Sequence, residues 1–227
     1  MNKASAESVI HFFLQGGFFM IPLTMCSLVS VAVILVRGFA LRRKVVMPPL
    51  LESEIEEMQP SDGDDSVNKL LRLVRHDSSA LARIVHAALQ HLQWPKTENV
   101  EAVQTRARHE IVRLESGLVV LEIIVGIAPL LGLLGAVSGL VSVFATLGES
   151  AAGTDPRVIA KGISEALSTT IVGLSIAIPS LIAYSCFSKK VETMAAEMES
   201  IIADLLAKCY HQKLKSPPSY PRARSDA

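Results

Sequence analysis

The run IIVGIAPLLGLLGAVSGLVSVFATLG, residues 123–148, holds 26 consecutive positions without an Asp, Glu, Lys or Arg. A helix needs roughly 20 predominantly apolar residues to cross a bilayer, so this stretch is long enough to span one. Outward from it, residues 166–188 give a second uncharged run of 23 positions and residues 8–36 a third of 29. The whole chain of 227 residues is 50% hydrophobic but only 5% aromatic, and its mean hydropathy is +0.39. The pattern predicts an all-α integral membrane protein with three transmembrane helices.

The 22 basic and 22 acidic residues are confined to the remainder of the chain, at a density ordinary for water-exposed helices. Their balance gives no electrostatic support for nucleic-acid binding. Cys26, Cys186 and Cys209 form neither a disulfide framework nor a Cys-x-x-Cys site, and they read as small apolar side chains. His86 and His91 are five residues apart with no accompanying acidic ligand, a poor spacing for a metal site on one helix face. Neither a metal, a cofactor nor an enzyme activity is expected.

The first span exceeds the 7–15 residue core of a signal peptide and lacks a small-residue cleavage site. It runs directly into Arg37, Arg42, Arg43 and Lys44, so it is expected to stay as an anchor. Basic residues also precede the second span (Arg106, Arg108, Arg113) and follow the third (Lys189, Lys190). Cytoplasmic flanks carry the excess of Lys and Arg, which places the amino terminus outside and the carboxyl terminus inside. The expected organisation is a periplasmic N-terminus 1–9, a first span 10–37, a cytoplasmic helical insertion 38–115, a second span 116–147, a periplasmic link 148–160, a third span 161–188, a cytoplasmic helix 189–215 and a disordered tail 216–227.

Within the insertion, Pro48-Pro49 and the segment 60–65 read as loops. Leu81, Ile84, Val85, Ala88, Leu89 and Leu92 recur at helical spacing, so a small helical bundle is predicted there. Trp94-Pro95 ends that helix, and Thr97 is the expected cap of the next. No proline follows until Pro129, which predicts one helix from about 97 to about 147, ~75 Å long. Past the third span, Val191, Met194, Met198, Ile201, Leu205 and Cys209 form an apolar stripe.

Two features distinguish the second and third spans from inert anchors. One is a series of small residues that includes Gly126, Gly132, Gly135, Ala136 and Gly139, with Gly135 and Gly139 forming a small-x-x-x-small pair that lets helices approach closely. Pro129 within that span removes a backbone donor and bends the helix. The other is Glu165, followed by Ser168, Thr169 and Thr170, then Gly173 and Pro179. A carboxylate in a membrane is costly when ionised, which makes it a natural proton carrier. Ser168 and Thr169 lie three and four residues beyond it on a helix, a short polar track. The alternative is that Glu165 snorkels to the periplasmic interface while the hydroxyls bond their own backbone. Glu122, near the cytoplasmic entrance of the second span, reads as interfacial.

The text from Ala128-Pro129 through Gly132, Gly135-Ala136 and Gly139, with that from Gly162 through Glu165, Thr169-Thr170, Gly173 and Pro179, resembles the MotA/TolQ/ExbB ion-channel family. So does Gly16-Gly17-Phe18-Phe19-Met20-Ile21-Pro22-Leu23 at the first span. The three-span layout is similar to the ExbB and TolQ branch. The resemblance implies a homopentamer in the bacterial inner membrane, surrounding a dimer of a single-span ExbD- or TolR-like subunit and engaging a TonB- or TolA-like protein. Ion flow through it would drive a periplasmic or outer-membrane process such as TonB-dependent import. By the same match, Glu165 corresponds to the family's membrane glutamate, Thr170 to its pore-facing threonine, and Pro129 and Pro179 to its prolines, while Thr169 is an extra hydroxyl. The family's glycine-threonine step is Gly135-Ala136 here. One fewer oxygen in the ion path leans toward protons over sodium; the paired Thr169 and Thr170 lean the other way. A sodium-driven motor and a non-conducting membrane scaffold stand as the alternatives, and three spans without an inverted repeat leave little room for a transporter.

Overall fold

The computed structural model describes residues 18–59, 64–149 and 156–215. Among them the regular structure is helical throughout, with no strand, as the uncharged runs predict. In chain order the helices are α1 (Met20–Ala40), α2 (Arg43–Val46), α3 (Pro49–Glu57), α4 (Asp64–His76), α5 (Ala80–Gln90), α6 (Lys96–Glu115), α7 (Leu118–Glu149) and α8 (Pro156–Lys215). Three of them, α1, α7 and α8, are long and apolar enough to cross a membrane. The expected N-terminal segment 1–9, residues 60–63 of the loop expected at 60–65 and the tail 216–227 lie outside the described residues, and Asp64 and Asp65, expected in that loop, already belong to α4.

The chain divides into two compact units, one made of Met1–Phe39 with Ser116–Lys189 and the other of Ala40–Glu115 with Lys190–Ala227. In the first unit the core is apolar: Met20 and Leu23 of α1 pack with Ile124 and Ala128 of α7 and with Val172, Ile176 and Ala177 of α8. Most other large side chains of these helices face outward, among them Leu28, Leu130, Val141, Phe144, Leu167 and Ile182. An outward surface this apolar is that of a protein whose solvent is lipid or a neighbouring subunit.

The second unit has a water-soluble protein's core. Leu81, Ile84, Val85 and Ala88 of α5 are fully enclosed and Leu89 is nearly so, whereas Leu92 falls beyond the helix end and is only half-buried. Ser79 caps α5, its hydroxyl accepting from the Ala82 amide at 3.2 Å, the usual way to satisfy a first-turn donor. The distal part of α8 buries Val191, Met194, Met198, Leu205 and Cys209. Ile202, not the expected Ile201, completes that stripe, because the spacing 198, 202, 205, 209 follows the helix more evenly. Burial pushes the Cys209 thiol up to about 11, so it behaves as an inert apolar group.

Two expectations are corrected. The single helix over about 97–147 is broken at Ser116–Gly117, where α6 ends and α7 begins. Gly117 lies against the Arg37 guanidinium, which occupies the space a Cβ would need, and Arg37 Nη2 donates to Ser116 Oγ at 3.1 Å. Glycine is a poor helix former, and the guanidinium would have to shift to admit any other residue here. At the other end of α6 the first helical bond runs from the Asn99 amide to the Pro95 carbonyl at 3.1 Å. Thr97 is therefore inside the first turn and is not the cap.

Candidate functional site

α7 and α8 run antiparallel through the first unit along a seam of small residues. Their register follows from what a Cβ would meet at each glycine. On Gly173 it would lie 2.6 Å from the Ala128 carbonyl oxygen, on Gly132 2.9 Å from the Thr169 carbonyl oxygen, and on Gly135 2.9 Å from Thr169 Oγ1. Gly139 meets Ala166 at 3.2 Å, and Gly162 faces Val143. Contacts below 3 Å leave no room for a methyl group. Gly132 and Gly173 are therefore glycine because two backbones meet there, as membrane helices do at small residues, and Gly135 because the Thr169 side chain fills the space beside it.

The hydroxyls of α8 enter this seam. Thr169 is 2% exposed; its Oγ1 donates to the Ala166 carbonyl at 2.8 Å and lies 3.3 Å from the Gly132 carbonyl across the seam. Thr170 Oγ1 approaches the same Gly132 carbonyl at 3.4 Å and the Ala166 carbonyl at 3.5 Å. A hydroxyl has one proton to give, so the shorter Thr169–Ala166 bond takes it and Gly132 receives the weaker share. Two adjacent threonines thus converge on one carbonyl of the facing helix. Ser168 stands apart, bonded to Ser164 O at 2.7 Å one turn back on its own helix.

Glu165 is partly exposed, with Lys161 Nζ 3.9 Å from Oε1 one turn earlier. That separation is at the outer limit of an ion pair and carries little energy. Ala166, beside Glu165 in sequence, supplies the carbonyl on which both threonines rest. The structure thus brings Thr169, Thr170, Gly132, Gly135, Gly139 and Gly173 together. It leaves Ala136 half-buried beside the seam, and Glu122 and Pro179 exposed. Pro129 and Pro179 lie inside α7 and α8. Lacking N–H, they leave the Val125 and Ser175 carbonyls without their helical donors.

Polar contacts not anticipated from the sequence also appear. Ser30 of α1 and Ser180 of α8, both buried, are 2.6 Å apart. Ser180 Oγ also reaches the Ile176 carbonyl at 2.7 Å. In the second unit, buried Asn99 donates to Ala88 O and to Tyr210 Oη, each at 3.1 Å. Glu110, 1% exposed, is clasped by Arg83 at 2.6 Å and Arg106 at 2.9 Å. Only the last left a trace in the sequence, the Arg106 to Glu110 spacing of four.

The family model for the MotA/TolQ/ExbB proton channel family matches residues 76–200, which include α5, α6, α7 and most of α8. An ExbB-like biopolymer transport protein of Synechocystis is 32% identical over 76% of this chain and 67% of its own length. An ExbB biopolymer transport protein of Vibrio cholerae is 29% identical over 85% of each chain. An ExbB of Pseudomonas putida is 27% identical over 82% of this chain and 57% of its own.

Proposed function

Because the chain belongs to the MotA/TolQ/ExbB proton channel family, and its ExbB relatives are named biopolymer transport proteins, we propose that it is the ion-conducting subunit of an inner-membrane motor. It turns the proton motive force into mechanical work on a periplasmic or outer-membrane process, TonB-dependent import being one such task. The working assembly is a homopentamer around a dimer of an ExbD- or TolR-like single-span subunit, with the amino terminus outside and the carboxyl terminus in the cytoplasm.

The observation that carries this reading is the placement of Glu165 one helical turn from two threonines that converge on the Gly132 carbonyl. Glu165 takes and releases the proton. Thr170 and, one residue before it, Thr169 supply oxygens along the helix from that carboxylate, and Ser168 is a further hydroxyl of the same track. The glycine seam and the two membrane prolines fix α7 against α8, so the threonine oxygens keep their positions while charge passes.

Liposomes containing the protein and its single-span partner, with a trapped pH reporter, test this directly. The expected result is acidification that Glu165→Gln abolishes and Thr170→Ala reduces by up to about tenfold, the scale of one lost neutral hydrogen bond. Equal acidification with Glu165→Gln would remove the carboxylate from the mechanism. A sodium-dependent flux without acidification would make the motor sodium-driven, and silence of Glu165→Gln alongside damage from a bulky residue at Gly135 would favour a scaffold.

A further inference from the structure

Helices α4, α5 and α6 of the second unit line an open groove of about 980 Å³, at the upper end of the range for small-molecule sites. Its wall follows helical spacing: each helix contributes residues at i, i+3, i+4 and i+7, one face apiece. Three amphipathic helices would ordinarily turn apolar faces toward a shared space. Here each contributes a basic pair three residues apart: Arg72 and Arg75 from α4, Arg83 and His86 from α5, Arg106 and His109 from α6. His91 extends the wall beyond α5.

The lining holds four arginines and three histidines and no carboxylate, in a chain whose acidic and basic totals are equal. Glu110, behind the wall, compensates Arg83 and Arg106. Arg72 and Arg75 have no ion-pair partner among the described residues. Two buried nitrogens of wall side chains, Arg83 Nε and His91 Nδ1, lack any hydrogen-bond partner. Like charges gathered on facing helices repel one another, and unpartnered buried polar nitrogens add a further cost. A bound anion relieves the repulsion, and guanidinium forks match the oxygen geometry of phosphate.

We propose that this groove binds a soluble, multiply charged phosphate compound, such as a pyrophosphate-bearing metabolite, with Arg72 and Arg75 as its main ligands. The site lies wholly within the second unit and shares no residue with Glu165 and the α7–α8 seam, so it stands or falls independently of ion conduction.

The test uses the full chain in nanodiscs of zwitterionic lipid, titrated calorimetrically with inorganic pyrophosphate and with ATP. Saturable binding with Kd below about 1 mM is expected, and the double variant Arg72→Gln, Arg75→Gln weakens it by about tenfold or more. Both arginines are exposed, so thermal unfolding of that variant matches the parent. Lys44→Gln, which removes one exposed cation away from the groove, changes affinity less than about twofold. Absence of saturable binding, retention of affinity in the double variant, or an equal loss with Lys44→Gln overturns the proposal. Phosphatidylglycerol added to the nanodiscs leaves pyrophosphate affinity unchanged if the ligand is soluble; competition by that lipid would assign the groove to a headgroup and overturn it.

Discussion

Glu110 shows how a buried charge is kept. Burial alone would push its carboxyl up, but the Arg83 hydrogen bond, with the charges of Arg83, Arg106 and Arg113, holds it below the ordinary carboxylate range. A lowered folded-state pKa stabilises the fold above the unfolded value of about 4.5, and that contribution disappears as pH falls through the folded value. Glu110→Ala removes the anion that two guanidinium groups share. The expected loss is roughly 2–3 kcal/mol, below the full cost of breaking a buried pair because Arg83 and Arg106 are partly exposed. Thermal unfolding of the two proteins at pH 7 and again near pH 4 measures it: the gap narrows at the acidic end. A gap that widens on acidification would contradict the assignment. In the sequence Arg106 stands four residues before Glu110 but reads as one of several basic residues flanking a span, since charge sign along the chain does not reveal which cations a folded unit will turn inward.

At the scale of the element, the glycines of α7 look alike in the sequence and differ sharply in the structure. A Cβ on Gly126 meets nothing within 4 Å, whereas one on Gly135 meets Thr169 Oγ1 at 2.9 Å. Gly126→Ala is therefore expected to be neutral or stabilising by up to about 1 kcal/mol through helix propensity. Gly135→Leu forces α7 from α8 and costs at least about 1–3 kcal/mol. Unfolding in detergent micelles checks both, and equal effects at the two positions would refute the seam register. The three apolar helices were legible because uncharged runs of more than 20 residues have few other fates. The close pairing of Gly132 and Gly135 with the threonines was legible as a tendency of small residues, but which of them face a backbone depends on the mutual rotation of two helices. The break at Ser116–Gly117 was not legible, because one glycine between two helical stretches does not by itself end a helix; Arg37, 80 residues earlier in the chain, lies beside it in the structure.

At the scale of the molecule, the outward apolar faces of α1, α7 and α8 and the ion-paired helices of the second unit demand two solvents for one chain. An alkaline carbonate wash of cell membranes, which strips peripheral proteins, is expected to leave the protein in the pellet, and a mild detergent to release it. Recovery in the wash would contradict three embedded helices. The same division explains why composition averaged over the chain is uninformative, with equal totals of acid and base concealing a carboxylate-free cationic groove and charge-free spans. The Ser30–Ser180 contact bears on how such a chain is made. Ser180 gives its proton to the Ile176 carbonyl, so the 2.6 Å contact with Ser30 is one in which Ser30 donates. Its acceptor is synthesised 150 residues later, so during translation the first helix enters the bilayer with that hydroxyl lacking its final partner. The bond closes only when α8 stands beside α1 with Ser180 level with Ser30, so it belongs to the last contacts of the first unit to form.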